Sequence, residues 1–293
     1  MRLGLIGKGI LHSSSPDLHT RLGRFTHLSV TYDLFDTLVK PIESLASAVA
    51  EIRASGYRGI NVTYPYKEQA LALADRCGEG ATLVGAANTL VFEADGIRAE
   101  NTDFTGFISG YRATVGTRSP GRVLLMGTGG VGKAVAFGLG KLGAESIRLV
   151  DLDTAKAQQL ADQLNAVGFN ASVLSSTVAD TEALKAAMSE CDGLVNCTPI
   201  GHEKSPGCPF PADSIRADQW LFDAVYVPAV TDLIAAAHAA GAQVVSGISL
   251  FVFQGIDAYK FFCDDEDTRA SVDEHAETLF AHYKRELMKE SEA

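Results

Sequence analysis

Hydroxyl and amide side chains interrupt the apolar stretches of the first third of the chain at spacings that suit a small-molecule site. Ser13 and Ser15 lie two residues apart in a loop closed by Pro16, so their hydroxyls could converge on one anion. Asn61 and Thr63 share one face of a predicted strand, because side chains alternate between the two faces of a strand. Taken singly, each of these residues also fits ordinary turn chemistry.

Three further polar residues lie where predicted elements begin or end. Lys67 lies in the first turn of a predicted helix, where the helix dipole disfavours a cation. Asn88 and Asp103 end two further elements, in the stretches AANTL and AENTDFTGF. A solvated surface lysine and a helix N-cap are the ordinary interpretations of Lys67 and Asp103. The order of all these clusters along the chain, rather than any one residue, favours a functional site.

A glycine-rich loop between an apolar strand and a helix indicates a second site. Residues 127–132 read Gly-Thr-Gly-Gly-Val-Gly, a match to G-x-G-x-x-G that follows the apolar stretch RVLLM. In such a loop Gly127 would permit the tight turn, Gly129 the approach of backbone N–H groups to a pyrophosphate, and Gly132 close helix–strand packing. The pattern predicts dinucleotide binding; a tight strand–helix turn without a ligand is the alternative.

An acidic residue some way beyond the glycine loop bears on the choice of dinucleotide. Asp151 ends the next apolar strand, where its carboxylate can accept hydrogen bonds from the adenosine ribose hydroxyls. It would repel a 2′-phosphate, and Leu152, Asp153 and Thr154 follow it without a basic residue. The sequence therefore predicts NAD as the cofactor, preferred over NADP. An acid that caps the following helix is the alternative, and Asp153 suits that role equally well.

The composition excludes several classes of function. Of the 293 residues 46% are hydrophobic and 21% charged, which is typical of a folded globular protein, and the length favours two domains. The formal charge of -11 makes nucleic acid and anionic membrane surfaces unsuitable partners. Five cysteines without a C-x-x-C pair predict reduced thiols, a cytoplasmic location and no metal site. No signal peptide and no apolar stretch long enough to span a membrane is predicted.

Apolar stretches alternate with helix-period segments along the chain, the pattern of parallel α/β architecture. The predicted strands cover residues 2–7, 30–35, 59–64, 122–127, 147–152, 193–198, 220–225 and 243–247. The predicted helices begin at Pro16, at Pro41 and at Pro65, or cover residues 154–166, 249–262 and 270–290. Two short strands around Asp95-Gly96 predict that the first sheet is mixed. The predicted linker covers residues 114–121.

The order of these motifs resembles the shikimate/quinate dehydrogenase family over nearly the whole chain. The matching stretches are HSSSP, NVTYPYK, AANTL, NTDFTGF, the glycine loop, NCTPIG, DAVYVPAVTDL and GISLFVFQ. The resemblance implies an α/β fold with an N-terminal substrate-binding domain of mixed sheet, residues 1–113 with 248–293. A Rossmann-type doubly wound dinucleotide-binding domain, residues 114–247, would follow, and the C-terminal helices would return to the first domain.

The resemblance also implies a role for each matched residue. Ser13 and Ser15 would hold the carboxylate of a small-molecule substrate, and Lys67 and Asp103 would form the catalytic pair. The other substrate-binding residues would be Asn61, Thr63, Asn88, Tyr226 and Gln254. The cofactor-binding residues would be Gly127, Gly129, Gly130, Val131, Gly132, Asp151, Asn196, Thr198, Val225 and Gly247.

The reaction that the resemblance implies is the NAD-dependent oxidation of a secondary alcohol of shikimate, or of a close cyclic polyol carboxylate, to the 3-dehydro ketone. This chemistry removes a hydroxyl proton while a hydride passes to C4 of the nicotinamide. Lys67 is predicted to be the acid/base, with Asp103 orienting it and bonding the same hydroxyl. In the alternative, Lys67 stays charged throughout and acts electrostatically.

Two departures from the family pattern bear on cofactor and substrate. The commonest biosynthetic members carry an Asn-Arg-Thr-like signature for NADP where this chain has Asp151, Leu152 and Asp153. Quinate users often carry threonine at the position of Ser15, so this serine favours shikimate over quinate. An enzyme for quinate or an aminoshikimate-type acid, and a sensor that binds NAD or substrate without turnover, are the alternatives. A homodimer is left open.

Overall fold

The computed structural model describes residues 1–174 and 180–292, with side chains up to residue 288. By backbone contacts the chain divides into two compact units. The first unit comprises Met1–Gly106 and Val252–Leu279, and the second comprises Phe107–Phe251 and Phe280–Ala293. The domain boundaries between 113 and 114 and between 247 and 248 stay predictions.

Strands and helices alternate along the described chain. The first elements are β1 (Arg2–Gly7), α1 (Ser15–Phe25), β2 (Thr31–Asp36), α2 (Leu45–Ala54), β3 (Gly59–Val62), α3 (Lys67–Ala72), β4 (Arg76–Cys77), α4 (Glu79–Val84), β5 (Thr89–Glu93), β6 (Gly96–Glu100) and α5 (Thr102–Val115). They are followed by β7 (Arg122–Met126), α6 (Gly130–Lys141), β8 (Ser146–Val150), α7 (Thr154–Ala166), β9 (Ala171–Val173), α8 (Thr181–Ser189), β10 (Gly193–Asn196), β11 (Trp220–Asp223), α9 (Asp232–Ala240) and β12 (Gln243–Ser246). The last elements are α10 (Gly247–Phe262), α11 (Glu266–Asp273) and α12 (Ala276–Glu292).

The sheet of the first unit is mixed, as predicted, with the strand order β2-β1-β3-β5-β6-β4. β2 and β3 run parallel to β1, whereas β5 runs antiparallel to β3 and to β6. The predicted turn at Asp95-Gly96 is confirmed, since it joins β5 to β6. Because β1 and β3 are parallel, the serine loop after β1 and the Thr63 segment after β3 leave the sheet at the same edge.

The sheet of the second unit is entirely parallel, with the strand order β12-β11-β10-β7-β8-β9. Val123, Leu124 and Leu125 of β7 and Leu194 and Val195 of β10 are at most 1% exposed. Such continuous burial accounts for the unbroken apolar letters, because both faces of a parallel sheet are covered by its crossover helices. The predicted α/β fold is therefore confirmed in both units.

Some helix limits differ from the predicted ones. The helix predicted from Pro41 begins only at Leu45, because the Ser44 hydroxyl accepts the backbone N–H of Ser47 at 3.1 Å and caps the helix there. The helix predicted from Pro65 begins at Lys67, after a cis Tyr64-Pro65 bond. The helix predicted over 270–290 is divided into α11 and α12. β4, α4 and β9 escaped prediction because two to six residues are too few to show a period.

The pKa of one buried carboxyl in the first unit differs strongly from its ordinary value. Asp257 lies on α10, and its side chain is 14% exposed. Burial raises the pKa of Asp257 to about 6, although the Thr105 hydroxyl and the Lys260 ammonium oppose the shift. The folded protein therefore binds this proton more tightly than the unfolded chain does.

Asp257→Asn should stabilise the protein at pH values above about 6. Because the folded pKa is raised, stability is lost as the pH rises from the ordinary value of 3.8 through about 6. The neutral amide removes this loss, so urea unfolding at about pH 8 should show a gain of roughly 1–3 kcal/mol that disappears near pH 4. Asp267→Asn, at an exposed position of α11, is the matched control. A pH-independent effect of Asp257→Asn would contradict the assignment.

Candidate functional site

The serine loop is held by its own hydroxyls at the start of α1. The Ser13 hydroxyl donates to the Ser15 hydroxyl at 3.1 Å and accepts the Ser15 backbone N–H at 3.2 Å. Both residues are half-buried. The Ser15 side chain also acts on the Tyr32 hydroxyl of β2, where it opposes the burial that raises the pKa of Tyr32. The two serines are therefore brought together as the sequence predicted, and Tyr32 joins them to the neighbouring strand.

A line of hydrogen bonds continues from Tyr32 across the ends of the strands. The Tyr32 hydroxyl donates to Asn61 Oδ1 at 2.9 Å, and Asn61 Nδ2 donates to the Thr89 hydroxyl at 3.0 Å. The Thr89 hydroxyl in turn donates to Asn88 Oδ1 at 3.1 Å. Asn61 and Asn88 are 7% and 4% exposed. Burial without partners would be costly for both amides, so these bonds fix which way each amide points.

The line ends on α5 and α10. Asn88 Oδ1 accepts the backbone N–H of Thr102 at 2.7 Å, and Asn88 Nδ2 donates to the Thr102 hydroxyl at 3.0 Å. The same hydroxyl contacts Gln254 Oε1 at 3.5 Å. Three residues predicted to bind substrate, Asn61, Asn88 and Gln254, are thus joined in one set of hydrogen bonds that begins at Tyr32. Thr63 directly follows β3, and its backbone N–H donates to the carbonyl of Ile6 on β1 at 2.9 Å.

Lys67 and Asp103 form a close ion pair. Lys67 Nζ lies 2.6 Å from Asp103 Oδ2, and the two side chains are 21% and 11% exposed. Each residue lies in the first turn of its helix, Lys67 on α3 and Asp103 on α5. The pair is therefore partly shielded from water yet keeps an accessible surface. Such an arrangement can hold a hydroxyl group and exchange a proton with it.

Three members of this set were not predicted from the sequence as site residues. Thr89 and Thr102 lie inside the stretches AANTL and NTDFTGF, so their position beside Asn88 and Asp103 was the available signal. Tyr32 gave no signal, because a tyrosine in a strand is ordinary. His19 stacks on Tyr32 with ring centroids 4.7 Å apart. Burial lowers the pKa of His19 to about 3, so this support is a neutral ring.

The glycine loop of the second unit has the close packing that its spacing predicts. Gly127 adopts a φ of +95°, and its N–H donates to the Val150 carbonyl at 2.8 Å. A Cβ at Gly132 would lie 1.9 Å from the Gly127 carbonyl oxygen, whereas a Cβ at Gly129 or Gly130 would meet nothing within 4 Å. The loop is therefore closed on its protein side and open above Gly129 and Gly130. Val131 is half-buried in the first turn of α6.

Hydrogen bonds hold the carboxylate of Asp151 against this loop. Asp151 Oδ2 accepts the backbone N–H of Thr128 at 2.6 Å and its hydroxyl at 2.7 Å, and Oδ1 accepts the N–H of Asp153 at 2.9 Å. Partial burial alone would raise the pKa of Asp151, but these bonds outweigh it and hold the pKa below the ordinary value. Asp153 caps α7 by accepting the Lys156 N–H at 3.2 Å, as its alternative interpretation predicted.

A buried network organises the strand ends next to the glycine loop. Asn196 is fully buried, and its Nδ2 donates to Asp223 Oδ1 at 2.9 Å while its Oδ1 accepts the Thr198 hydroxyl at 2.7 Å. Asp223 also accepts the Val225 N–H at 3.1 Å and the Thr231 hydroxyl at 2.6 Å. Asn196 and Asp223 thus hold the segments that carry Thr198 and Val225. Asp223 and Thr231 were not predicted as site residues.

Two further predicted residues lie in the second unit. A Cβ at Gly247 would lie 2.7 Å from the Ala224 carbonyl oxygen, so only glycine fits this approach to the end of β11. Tyr226 is 37% exposed and stacks on Phe251 with ring centroids 5.7 Å apart. The serines and Asn61 belong to the first unit, and the substrate-binding role of Tyr226 stays a prediction.

The described residues contain no helix long and apolar enough to cross a bilayer. Nor do they contain a group of three His, Cys, Asp or Glu side chains that could hold a metal ion.

Fold and site together define a class of protein. The parallel sheet of the second unit has the doubly wound strand order, its first strand leads through the glycine loop into α6, and Asp151 directly follows its second strand. The open space above Gly129 and Gly130 suits a pyrophosphate, which backbone N–H groups would bind. With the Lys67–Asp103 pair in a separate α/β unit, these features are those of a dinucleotide-dependent dehydrogenase.

Comparisons with known proteins identify the family. Residues 5–90 match the shikimate dehydrogenase substrate binding domain, and residues 123–204 match the saccharopine dehydrogenase NADP binding domain. A quinate/shikimate dehydrogenase (NAD+) of Corynebacterium glutamicum is 36% identical over 267 residues, covering 89% of this chain and 92% of the relative. The chain therefore belongs to the shikimate/quinate dehydrogenase family.

Other relatives differ in their cofactor. A shikimate dehydrogenase (NADP+) of Pseudarthrobacter chlorophenolicus is 34% identical, covering 89% of this chain and 88% of the relative. The structure of quinate dehydrogenase from Corynebacterium glutamicum in complex with NAD superposes with a TM-score of 0.84 at 34% identity, covering 92% of this chain and 98% of that one. Family membership alone thus leaves the choice between NAD and NADP to the residues of this chain.

Gly132→Ala should destabilise the protein, because the added Cβ would lie 1.9 Å from the Gly127 carbonyl oxygen and must displace backbone. We expect a loss of roughly 2–3 kcal/mol in the free energy of unfolding, measured by urea denaturation without ligand. Gly129→Ala is the control, since its Cβ would enter open space at a φ of -69°. Equal stabilities of the two variants would show that the loop is not packed as described.

Proposed function

We propose that this protein is an NAD-dependent dehydrogenase that oxidises the 3-hydroxyl of shikimate, or of a close cyclic polyol carboxylate, to the ketone. The observation that carries the proposal is the Lys67–Asp103 pair at 2.6 Å beside a connected set of hydroxyl and amide groups. A ring bearing a carboxylate and several hydroxyls offers matching hydrogen-bonding groups to that set. The names of the family relatives support the same reaction.

The first unit binds and orients the acid in this proposal. The hydroxyls of Ser13 and Ser15 donate to the substrate carboxylate, because a hydroxyl hydrogen can rotate and the Ser13 hydrogen can turn from Ser15 toward an anion. Asn61, Asn88 and Gln254, with Thr63, meet the ring hydroxyls. Since Asn61 and Asn88 are already oriented by buried bonds, little further ordering is needed when the substrate binds.

Proton transfer falls to Lys67. The reacting hydroxyl donates its hydrogen to Lys67 Nζ, and Lys67 Nζ in turn donates an N–H to Asp103 Oδ2. As the alcohol becomes a ketone, the neutral form of Lys67 takes the hydroxyl proton at Nζ, and Asp103 holds the resulting ammonium in place. NAD, when bound, supplies the acceptor for the hydride that leaves the same carbon. A lysine that stays charged and acts electrostatically is the alternative, which the pH dependence of the rate distinguishes.

The second unit supplies the groups that would hold the dinucleotide. The open backbone at Gly129 and Gly130 and the N-terminus of α6 suit the pyrophosphate, and Asp151 suits the ribose hydroxyls. The residue after Asp151 is Leu152, which is 91% exposed and carries no charge for a 2′-phosphate. These features support NAD in preference to NADP. Val131, Thr198, Val225 and Gly247 complete the proposed binding surface.

Quinate is the second candidate substrate. The names of two relatives, one a solved structure, favour it, because they include quinate. The serine at position 15, where quinate users often carry threonine, favours shikimate. A cytoplasmic location and a homodimeric state are further proposals from the sequence.

Lys67→Met should lower kcat with NAD and shikimate by at least ~100-fold, because it removes the group that accepts the hydroxyl proton. Initial rates of reduced-cofactor formation on shikimate and on quinate provide the measurement. Lys185→Met is the matched control, since Lys185 pairs with Asp213 on the surface of the second unit. If the Lys67 variant keeps the wild-type rate, the proton-transfer role is wrong. Nucleotide binding by the wild type without turnover of either acid would instead favour the sensor alternative.

Asp151→Ser should shift the cofactor preference toward NADP. Removing the carboxylate eliminates both the acceptor for the ribose hydroxyls and the repulsion of a 2′-phosphate. We expect KM for NAD to rise ~10-fold or more and the ratio of kcat/KM for NADP over NAD to rise at least as much. Asp153→Ser serves as the control, because serine can still cap α7. An unchanged ratio in the Asp151 variant would remove Asp151 from cofactor selection.

A further inference from the structure

Thr128, the second residue of the glycine loop, bonds one oxygen of Asp151 twice. Its backbone N–H and its hydroxyl both donate to Asp151 Oδ2, at 2.6 Å and 2.7 Å. Thr128 is 8% exposed, so its hydroxyl is shielded from competing water. Hydrogen bonds to a carboxylate are shorter and stronger than those between neutral groups, and both distances fit that class.

The other oxygen of Asp151 is engaged from the opposite side. Asp151 Oδ1 accepts the backbone N–H of Asp153 at 2.9 Å, and Asp153 is itself fixed as the cap of α7. A carboxylate has about four acceptor positions, and three of them are occupied here. Turning the side chain away would break at least one of these bonds.

We infer that Thr128 is a positioning residue. Its hydroxyl fixes Asp151 against the glycine loop and thereby sets the preference for NAD over NADP. The inference rests on the proposed use of NAD by this protein. The remaining acceptor position of Asp151 can take one ribose hydroxyl, which has a proton to donate. A 2′-phosphate carries close to two negative charges and has no proton to donate. The hydrogen-bonded carboxylate of Asp151 is unable to turn away from it.

Without the hydroxyl, Asp151 keeps a single bond from Thr128 and gains freedom to rotate toward water. The ribose hydroxyl then loses a prearranged acceptor, so NAD binds more weakly. The carboxylate can also move aside for a 2′-phosphate, so NADP binding is unchanged or stronger. Selectivity, rather than turnover of the saturated enzyme, is the property that Thr128 controls.

The test compares Thr128→Val, which lacks the hydroxyl at a similar volume, with Thr128→Ser, which retains it. We expect the ratio of the dissociation constants for NADP over NAD, measured by isothermal titration calorimetry, to fall ~10-fold or more in the valine variant. The serine variant should stay within about 3-fold of the wild type. At saturating NAD, kcat of the valine variant should change less than about 3-fold. A valine variant that keeps the wild-type ratio would overturn the inference.

A second measurement uses the free protein and needs no nucleotide. The depressed pKa of Asp151 contributes stability that is present above the ordinary value of 3.8 and is lost as the pH falls through the folded pKa. Lys156 is the other charged group that acts on this carboxylate. Thr128→Val should therefore lower the stability near pH 7 and weaken its dependence on pH below about 5, relative to the serine variant.

The two measurements separate the two claims. If the wild type binds neither nucleotide, the proposed function fails, and the pH dependence of unfolding still tests the bond between Thr128 and Asp151. If that pH dependence is identical in the valine and serine variants, the hydroxyl does not fix the carboxylate and the inference is wrong.

Discussion

The geometry of the Lys67–Asp103 pair depends on one short segment, Ala87 and Asn88, that joins the starts of two helices. The Ala87 N–H donates to the Lys67 carbonyl at 2.8 Å, and Asn88 Oδ1 accepts the Thr102 N–H at 2.7 Å. These bonds fix the first turn of α3 relative to the first turn of α5, and Lys67 and Asp103 extend from those turns to meet at 2.6 Å. Because Asn88 is buried, its amide must keep these partners, and the pair is held accordingly.

The two units prepare their sites by different physical means. The first unit arranges side-chain amides and hydroxyls in a connected line, so the orientation of each group is set by its neighbour. The second unit relies on backbone, since Gly127 and Gly132 allow the strand and helix to approach and leave an open surface above Gly129 and Gly130. The buried polar side chains of the second unit, such as Asn196, hydrogen-bond to the loops that follow the strands and fix their positions. In the proposed function, substrate recognition would therefore depend on side-chain identity, and pyrophosphate recognition on the absence of side chains.

The sequence predicted more of the fold than of the connections within the site. Apolar stretches located the strands of both sheets except the short strands β4 and β9, because buried parallel strands need no alternation, and the Asp95-Gly96 turn identified the antiparallel pair. Proline misplaced two helix starts, since the Ser44 cap and the turn at Pro65 decided them instead. Tyr32 and the doubled bond of Thr128 escaped prediction because their partners are distant in sequence, and no local pattern encodes such a contact.

The most direct test of the proposed function is to follow the hydrogen that leaves the substrate. Wild-type protein would be given NAD and shikimate that carries deuterium on C3, and the reduced nicotinamide would be isolated for mass spectrometry. Hydride transfer from C3 predicts one deuterium in each reduced nicotinamide ring and the formation of the 3-dehydro acid in equal amount. Deuterium that stays in the acid, or that appears in the solvent, would contradict hydride transfer from C3 and with it the proposed reaction.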